Sequence, residues 1–319
     1  MTSSARSTPP SGSSTDGRGQ WPSLPLAEWK GTLDTLHRWL QMVGKTRLAL
    51  APPINHSWHV TLYLTARGLT TSPMPYGDQS LEVDLDFLDH KLQVCTSDGA
   101  RRELKLLPRT VAAFYEEYMG LLESLGTPVR IWPVPSELED VLPFPEDERH
   151  RSYDPDAASR SWRVLSRADI VLQEFRGRFL GKCSPVHFFW GAFDLACTRF
   201  SGRRGPVHPG GVPHLPDRVV REAYSHECIS AGWWPGGGPV PEPAFYSYSY
   251  PEPAGFAEAR VLPEEAYYNS DLREFVLPYE AVRTARRPDR MLLDFLQTSY
   301  EAGADLGGWD RPALERSGA

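Results

Sequence analysis

The chain of 319 residues is poor in cysteine, and its 4 cysteines, Cys95, Cys183, Cys197 and Cys228, form neither a C-x-x-C pair nor a zinc-finger spacing. That pattern argues against a disulfide-stapled secreted scaffold and points to scattered thiols in a reducing compartment, the cytoplasm. No apolar run approaches the roughly 18–20 residues of a membrane span, and the N-terminus lacks the apolar stretch of a signal peptide, so neither insertion nor export is indicated. Long basic blocks are missing too, and the net charge is -7, which argues against broad electrostatic binding of nucleic acid while leaving room for a local basic groove. Neither a Walker loop, nor G-x-G-x-x-G after a strand, nor a G-x-S-x-G elbow occurs. Nucleotide, dinucleotide and common hydrolase functions lose ground accordingly.

What is present is the composition of a soluble globular protein, 40% apolar and 24% charged with Pro 30 and Gly 26, long enough to bury a real core. Residues 1–20, dominated by Ser, Thr, Gly and Pro, read as a disordered tail. Trp29, Leu33, Leu36, Leu40 and Val43 lay one stripe down a helix closed by Pro52 and Pro53. Trp58–Thr65 alternates like a half-buried strand. Residues 81–87, 92–95 and 104–106 add strands around the turn signal Asp98-Gly99, as an antiparallel meander. Val111, Phe114, Tyr118, Leu122 and Leu125 form a second helical stripe with Gly126 as its C-cap. After the Pro-rich stretch 132–155, Asp154-Pro155 opens a third helix, whose stripe runs from Trp162 to Phe179. The apolar run Val186–Cys197 has the length of a central strand covered on both faces. Later strands fit Tyr224–Trp233, Ala244–Tyr250 and Glu274–Leu277, before a last helix carrying Leu292, Phe295, Leu296 and Ser299.

The order helix, strands, helix occurs twice. Gly44-Lys45 follows the first helix as Gly181-Lys182 follows the third, and Pro53, Trp58 and Arg67 match Pro185, Trp190 and Arg199 at identical spacing. Arg102-Glu103 leading to Leu107-Pro108 matches Arg273-Glu274 leading to Leu277-Pro278. The expected fold is therefore α+β, two similar helix-strands-helix halves with mainly antiparallel sheets, related by internal duplication and packed about a pseudo-two-fold axis. Its parts are a disordered tail (1–20), a first half (21–131), a Pro-rich linker (132–155), a second half (156–305) and a C-terminal tail (306–319). A cleft at the seam of the halves is the expected ligand site.

The runs Trp58-His59-Val60-Thr61-Leu62-Tyr63-Leu64-Thr65-Ala66-Arg67-Gly68, Gly181 to Gly191 (GKCSPVHFFWG) and Glu222 to Glu227 (EAYSHE) resemble those of an uncharacterised bacterial domain-of-unknown-function family. The resemblance covers about residues 21 to 305. It implies no activity, cofactor or catalytic residue.

Several side chains carry possible chemistry. Lys45 and Lys182, with Arg67 and Arg199, are either cationic donors for an anionic ligand or structural partners of nearby carboxylates and helix ends. Asp194 interrupts an apolar run, so it is either paired with an arginine or a carboxyl of raised pKa suited to proton transfer. His226 and Cys228 share a strand face, as a Cys-His nucleophile or as a buried thiol beside a satisfied histidine. His187 reads as a hydrogen-bonded core histidine facing away from Asp194. The Pro/Gly-rich insertion with His208 and His214 is a lid or a rigid cover, with no familiar metal spacing. Tyr246, Tyr248 and Tyr250 share one strand face, as packing or as a ligand wall. Candidate catalytic residues are Asp194, His226 and His187; candidate ligand contacts are Arg67, Arg199, Lys45, Lys182, Tyr63, Trp190 and Tyr248. No cofactor or metal is indicated. These residues suit a small-molecule-binding protein, catalytic or not, or else a noncatalytic interaction or scaffold protein.

Overall fold

The first helical stripe becomes a helix, α1 (Leu26–Leu50), in a computed structural model that describes residues 21–212 and 215–316. The stretch read as an N-terminal tail and His214 lie outside the described residues. Trp29, Leu33, Leu36, Leu40 and Val43 are all buried, but so is nearly everything between Thr32 and Arg47. A helix so enclosed needs partners for its charged and amide side chains, and α1 finds them for Arg38, Arg47 and Gln41. Arg38 meets Asp147 at 3.1 Å, Arg47 donates to the His59 carbonyl at 2.8 Å, and Gln41 exchanges hydrogen bonds with the Ser136 backbone, both at 2.7 Å.

The first half then folds as β1 (Tyr63–Leu64), β2 (Gly68–Thr70), β3 (Met74–Tyr76), β4 (Gln79–Asp86), β5 (Lys91–Thr96), β6 (Arg101–Lys105) and α2 (Val111–Ser124). Its sheet has the order β1-β2-β4-β5-β6, with β3 on β4, all antiparallel. Leu81, Val83 and Leu85 turn inward while Glu82, Asp84 and Asp86 stay half-exposed, the alternation read from the sequence. Thr110 caps α2 by accepting from the Ala113 amide at 3.1 Å, and Gly126 follows with φ +71°, the left-handed residue that ends such a helix.

The second half comprises α3 (Pro155–Gly177), β7 (His187–Phe189), β8 (Asp194–Arg204), α4 (Asp217–Ala223), β9 (His226–Trp234), β10 (Ala244–Tyr250), β11 (Tyr267–Asn269), β12 (Glu274–Pro278), α5 (Tyr279–Thr284), α6 (Pro288–Leu306) and α7 (Arg311–Leu314). Asp154 caps α3, accepting from the Asp156 amide at 2.9 Å, with Pro155 in the first turn. The antiparallel sheet runs β11-β12-β10-β9-β8-β7, and α3 and α6 pack on one of its faces. The two sheets touch edge to edge, where Leu62 and Phe188 exchange backbone hydrogen bonds of 2.9 and 3.0 Å. The architecture is α+β with antiparallel sheets. Phe144 and Asp147, within the Pro-rich stretch, are fully buried, and residues 311–314 form α7, whose Leu314 carbonyl accepts from the Leu180 amide at 2.7 Å.

Several sequence expectations need correction. Val186–Cys197 is not one central strand but a hairpin, β7 and β8 joined through residues 190–193, with Phe193 at φ +58°. The turn reads as strand because it is apolar, and it can be apolar because His37 from α1 reaches the carbonyls of Trp190 and Gly191, both at 2.9 Å. Hairpin pairing sets His187 opposite Ala196 and Phe189 opposite Asp194, so His187 and Asp194 share a face, contrary to single-strand periodicity. The alternating run Trp58–Thr65 keeps only Tyr63–Leu64 as strand; Asn55–Val60 forms a 3-10 segment in which His56 and Ser57 take φ +60° and +58°. The strand expected from Tyr224 begins at His226, because Tyr224 ends α4. Of the residues matched at equal spacing, Trp58 falls in the 3-10 segment and Trp190 in the hairpin turn, Arg67 before β2 and Arg199 within β8. These pairs do not occupy equivalent places.

Candidate functional site

Strand register sorts the second sheet into two faces. On the helix-covered face lie Leu195, Cys197, Arg199, Trp233, Phe245 and Leu277. On the other, turned away from α3 and α6, lie His187, Asp194, Ala196, Thr198, Ser230, Gly232, Tyr246, Tyr248 and Glu274, a polar and aromatic set. His187, Ala196, Gly232 and Tyr246 fall in one row across four neighbouring strands. The two middle positions carry almost no side chain, leaving a trough along the row that the Tyr246 phenol enters over Gly232.

Gly232 is what lets Tyr246 lie flat. A β-carbon there would sit 2.8 Å from the Tyr246 hydroxyl and 2.0 Å from the Leu195 carbonyl oxygen. The phenol crosses β9 above that glycine and donates to Asp194 Oδ2 at 2.5 Å. Asp194 is set deep in the protein yet keeps some solvent exposure, as a group on the floor of a concavity does. Burial raises its pKa to about 7, Glu137 raising it further while the Tyr246 bond opposes. Glu274 is likewise pushed up to about 7, by burial and then by Asp194. Glu137 comes from the Pro-rich stretch, in a left-handed conformation at φ +57°. Its carboxyl occupies the space left by Gly191, where a β-carbon would lie 1.9 Å from Oε1. Among the described residues no basic group pairs with Asp194 within 4.0 Å, in place of the arginine that the sequence offered as one possibility.

Aromatic walls flank this floor. Tyr248 stacks on Tyr246 at 6.1 Å between ring centres, and its hydroxyl lies 2.9 Å from that of Tyr224. The Thr198 and Ser230 hydroxyls also lie 2.9 Å apart. At the seam, His187 sits within 5.6 Å of the rings of Trp58, Tyr63 and Phe189. It is 1% exposed, and neither ring nitrogen has a hydrogen-bond partner among the described residues, unlike the satisfied core histidine expected. Burial lowers its pKa to about 3, with Arg47 and Arg176 acting in the same direction. The imidazole is therefore neutral, one nitrogen a donor and the other an acceptor.

The structure gathers some sequence candidates and separates others. Tyr63 touches His187, and Tyr248 lines the wall. Lys45 donates to Ser136 Oγ at 2.8 Å and lies 5.5 Å from the Trp190 ring, beside Glu137. Lys182 and His226 stand at the far end: His56 Nδ1 donates to the Ala223 carbonyl at 3.0 Å and its Nε2 accepts from Lys182 Nζ at 2.7 Å, while the His226 ring is 5.8 Å from that of His56. Cys228 shares the face with His226, but burial pushes its thiol up to about 12, unsuited to a nucleophile. The insertion closes over this end, His208 stacking on Tyr224 at 5.0 Å. Arg67 and Arg199 do not reach the face. Arg67 is exposed and bridges Asp86 and Asp89, at 2.5 and 2.9 Å; Arg199 points among the helices. Glu137 and Glu274 were not legible as site residues. Glu274 showed only as the first residue of a strand, and nothing in the sequence links Glu137 to Asp194.

A separate cleft of about 520 Å³ lies between Thr32, Pro108, Arg109, Thr110 and Asp154, none of them on this face. Two of its polar side chains, Thr110 and Asp154, are engaged as helix caps. Among the described residues, no group of three or more His, Cys, Asp or Glu side chains is arranged to hold a metal ion, and no helix is long and apolar enough to cross a membrane.

The class this architecture defines is an α+β protein with a polar, aromatic sheet face at the junction of two antiparallel sheets. Residues 21–316 match the model of DUF5996, a family of unknown function, and the chain belongs to that family. No curated protein and no solved structure matches it.

Proposed function

We propose that the polar, aromatic face of the second sheet binds a small organic molecule bearing a cationic nitrogen, with Asp194 as its counter-charge. The observation that carries this reading is the Asp194 carboxyl, hydrogen-bonded by Tyr246, close to the carboxyls of Glu137 and Glu274 and, among the described residues, without a basic partner of its own within 4.0 Å. Unneutralised carboxylates beside tyrosine faces attract an ammonium group twice over, by charge and by the ring quadrupole. Tyr63 and Trp58 come from the first half and His187 from the second, which supports the expected site at the seam. Lys45 positions Glu137, and Lys182 with His226 bounds the opposite end. Asp194, ionising near neutrality, is the group on this face best fitted to proton transfer if the bound molecule is also transformed.

Four reduced cysteines support the expected cytoplasmic location. The recurrence of a six-stranded antiparallel sheet with flanking helices supports the duplication, although the residues matched at equal spacing do not.

Calorimetric titration tests the ligand class, using alkyl and aryl amines paired with their isosteric alcohols and carboxylates at pH 8. The proposal expects at least about tenfold tighter binding of an amine than of its alcohol, a difference of about 1.4 kcal/mol, and loss of that preference in Asp194→Asn. Equal binding of the pair, or a preference for the carboxylate, contradicts it.

A further inference from the structure

The helix-covered face of the same sheet carries a second constellation, formed by two thiols and a guanidinium. Cys197 and Arg199 lie on β8. Cys183 lies in the segment before β7, fastened to β8 by the Phe200 amide donating to the Lys182 carbonyl at 3.0 Å and the Ser184 amide to the Thr198 carbonyl at 2.8 Å. This places Cys183 opposite Arg199 and brings its Sγ within 3.7 Å of Cys197 Sγ. Cys197 is fully buried, whereas Cys183 keeps solvent access.

Arg199 is 1% exposed. Its guanidinium carbon lies 3.4 Å from the Phe175 ring centre and 4.3 Å from that of Tyr300. It donates to the Phe175 carbonyl, while its Nε has no partner. Among the described residues no carboxylate pairs with it within 4.0 Å; Glu315 is held by Arg311 and Tyr300, at 2.6 and 2.9 Å. A buried cation without a carboxylate partner is costly unless neighbours carry negative charge, and the groups that favour charge on Arg199 are the two thiols first, then Tyr300 and Glu315. The hydrogen bond from the Cys197 thiol, then Arg199 and Arg176, hold the Cys183 thiol below its ordinary range against the effect of burial.

We infer that Cys183 and Cys197 form a peroxide-oxidisable dithiol that closes to a disulfide within the folded chain. The Cys183 thiolate attacks one oxygen of hydrogen peroxide, the O–O bond breaks, and the other oxygen leaves as hydroxide that takes up the thiol proton as water. Cys197 then attacks the resulting sulfenic sulfur, losing its own proton, and the displaced hydroxide leaves as a second water. Two thiols and one peroxide thus give one disulfide and two waters, with two electrons passing from sulfur to oxygen. The sulfurs must close from 3.7 Å to the ~2.05 Å of a bond. Cys183 sits in an isolated bridge to β8, its backbone held on both sides by the two hydrogen bonds to that strand, so the closing movement falls to the cysteine side chains.

Trypsin cleavage after Lys182 and Arg199 releases both cysteines in one peptide, 183–199, which makes the test direct. The native full chain is exposed to hydrogen peroxide, alkylated and digested. The inference expects this peptide to become about 2 Da lighter and unalkylated, while Cys95 and Cys228 remain alkylated and the circular dichroism spectrum stays native. In Cys197→Ser, dimedone should label Cys183. A peptide 183–199 that still carries two alkyl groups after peroxide has oxidised Cys95 overturns the inference, as does a disulfide found only between chains or only after unfolding. The wild-type mass decides even if the variant fails to fold.

Discussion

Tyr246 and Asp194 stand on strands separated by β9, yet the tyrosine hydroxyl donates to the carboxylate at 2.5 Å because Gly232 puts no side chain between them. The bond fixes a carboxyl that burial would otherwise leave without a partner.

That carboxyl makes stability depend on pH in a direction opposite to the common one. Asp194 ionises near 3.8 when unfolded and about 7 when folded, so across that interval the native state holds a proton that the unfolded chain releases. Its contribution is fully favourable below about pH 4 and declines as pH rises to about 7. Asp194→Asn removes this dependence, leaving the similar one of Glu274. Urea unfolding should show the variant gaining roughly 1–3 kcal/mol relative to wild type between pH 5 and 8. A constant difference across that range would contradict the assignment.

His187 acts in the other sense. Its folded pKa lies at about 3 against 6.5 unfolded, so stability is lost as pH falls from 6.5 toward 3. Wild-type profiles therefore mix opposing slopes, and the substitutions separate them. His187→Phe fills the same space and removes two unsatisfied nitrogens, so its stability should be unchanged or higher at pH 7, with the largest gain near pH 4. A loss above about 2 kcal/mol at pH 7 would mean that the nitrogens are satisfied in the native state.

Gly232→Ala tests the trough itself. Its β-carbon meets both the Leu195 carbonyl and the Tyr246 hydroxyl, so β9 and the phenol must shift. A destabilisation of about 1–3 kcal/mol is expected, and displacement of the Tyr246 hydroxyl removes a bond that holds the pKa of Asp194 down. A neutral substitution would show that the strands do not have this register.

The enclosed α1 supplies a stability prediction independent of ligand. Arg38 and Asp147 are 4% and 0% exposed in their side chains. Arg38→Met leaves Asp147 with His150 at 2.8 Å as its side-chain partner, and should cost about 3–5 kcal/mol. Denaturant midpoints at pH 7 measure it.

Periodicity was enough for most helices and for the meander of the first half, because stripes such as Leu81, Val83 and Leu85 against Glu82, Asp84 and Asp86 are written in adjacent residues. It failed at Trp190–Phe193, where a reversal is hidden by side chains as apolar as a strand and stabilised by His37, more than a hundred residues away. The site failed for the same reason. Asp194 was visible as a charge in an apolar run and Tyr246 as part of an aromatic stripe, but their meeting depends on strand order and on a glycine between them. Glu137 reaches the face through a left-handed backbone in a Pro-rich stretch, which no spacing reports.

The most direct test of the account is a carboxyl-carbon NMR titration of Asp194, assigned by Asp194→Asn, with and without the tightest-binding amine. The account predicts a midpoint at about 7 in the free protein, moved downward by the bound cation. A midpoint near 4 that the amine leaves unchanged would contradict it.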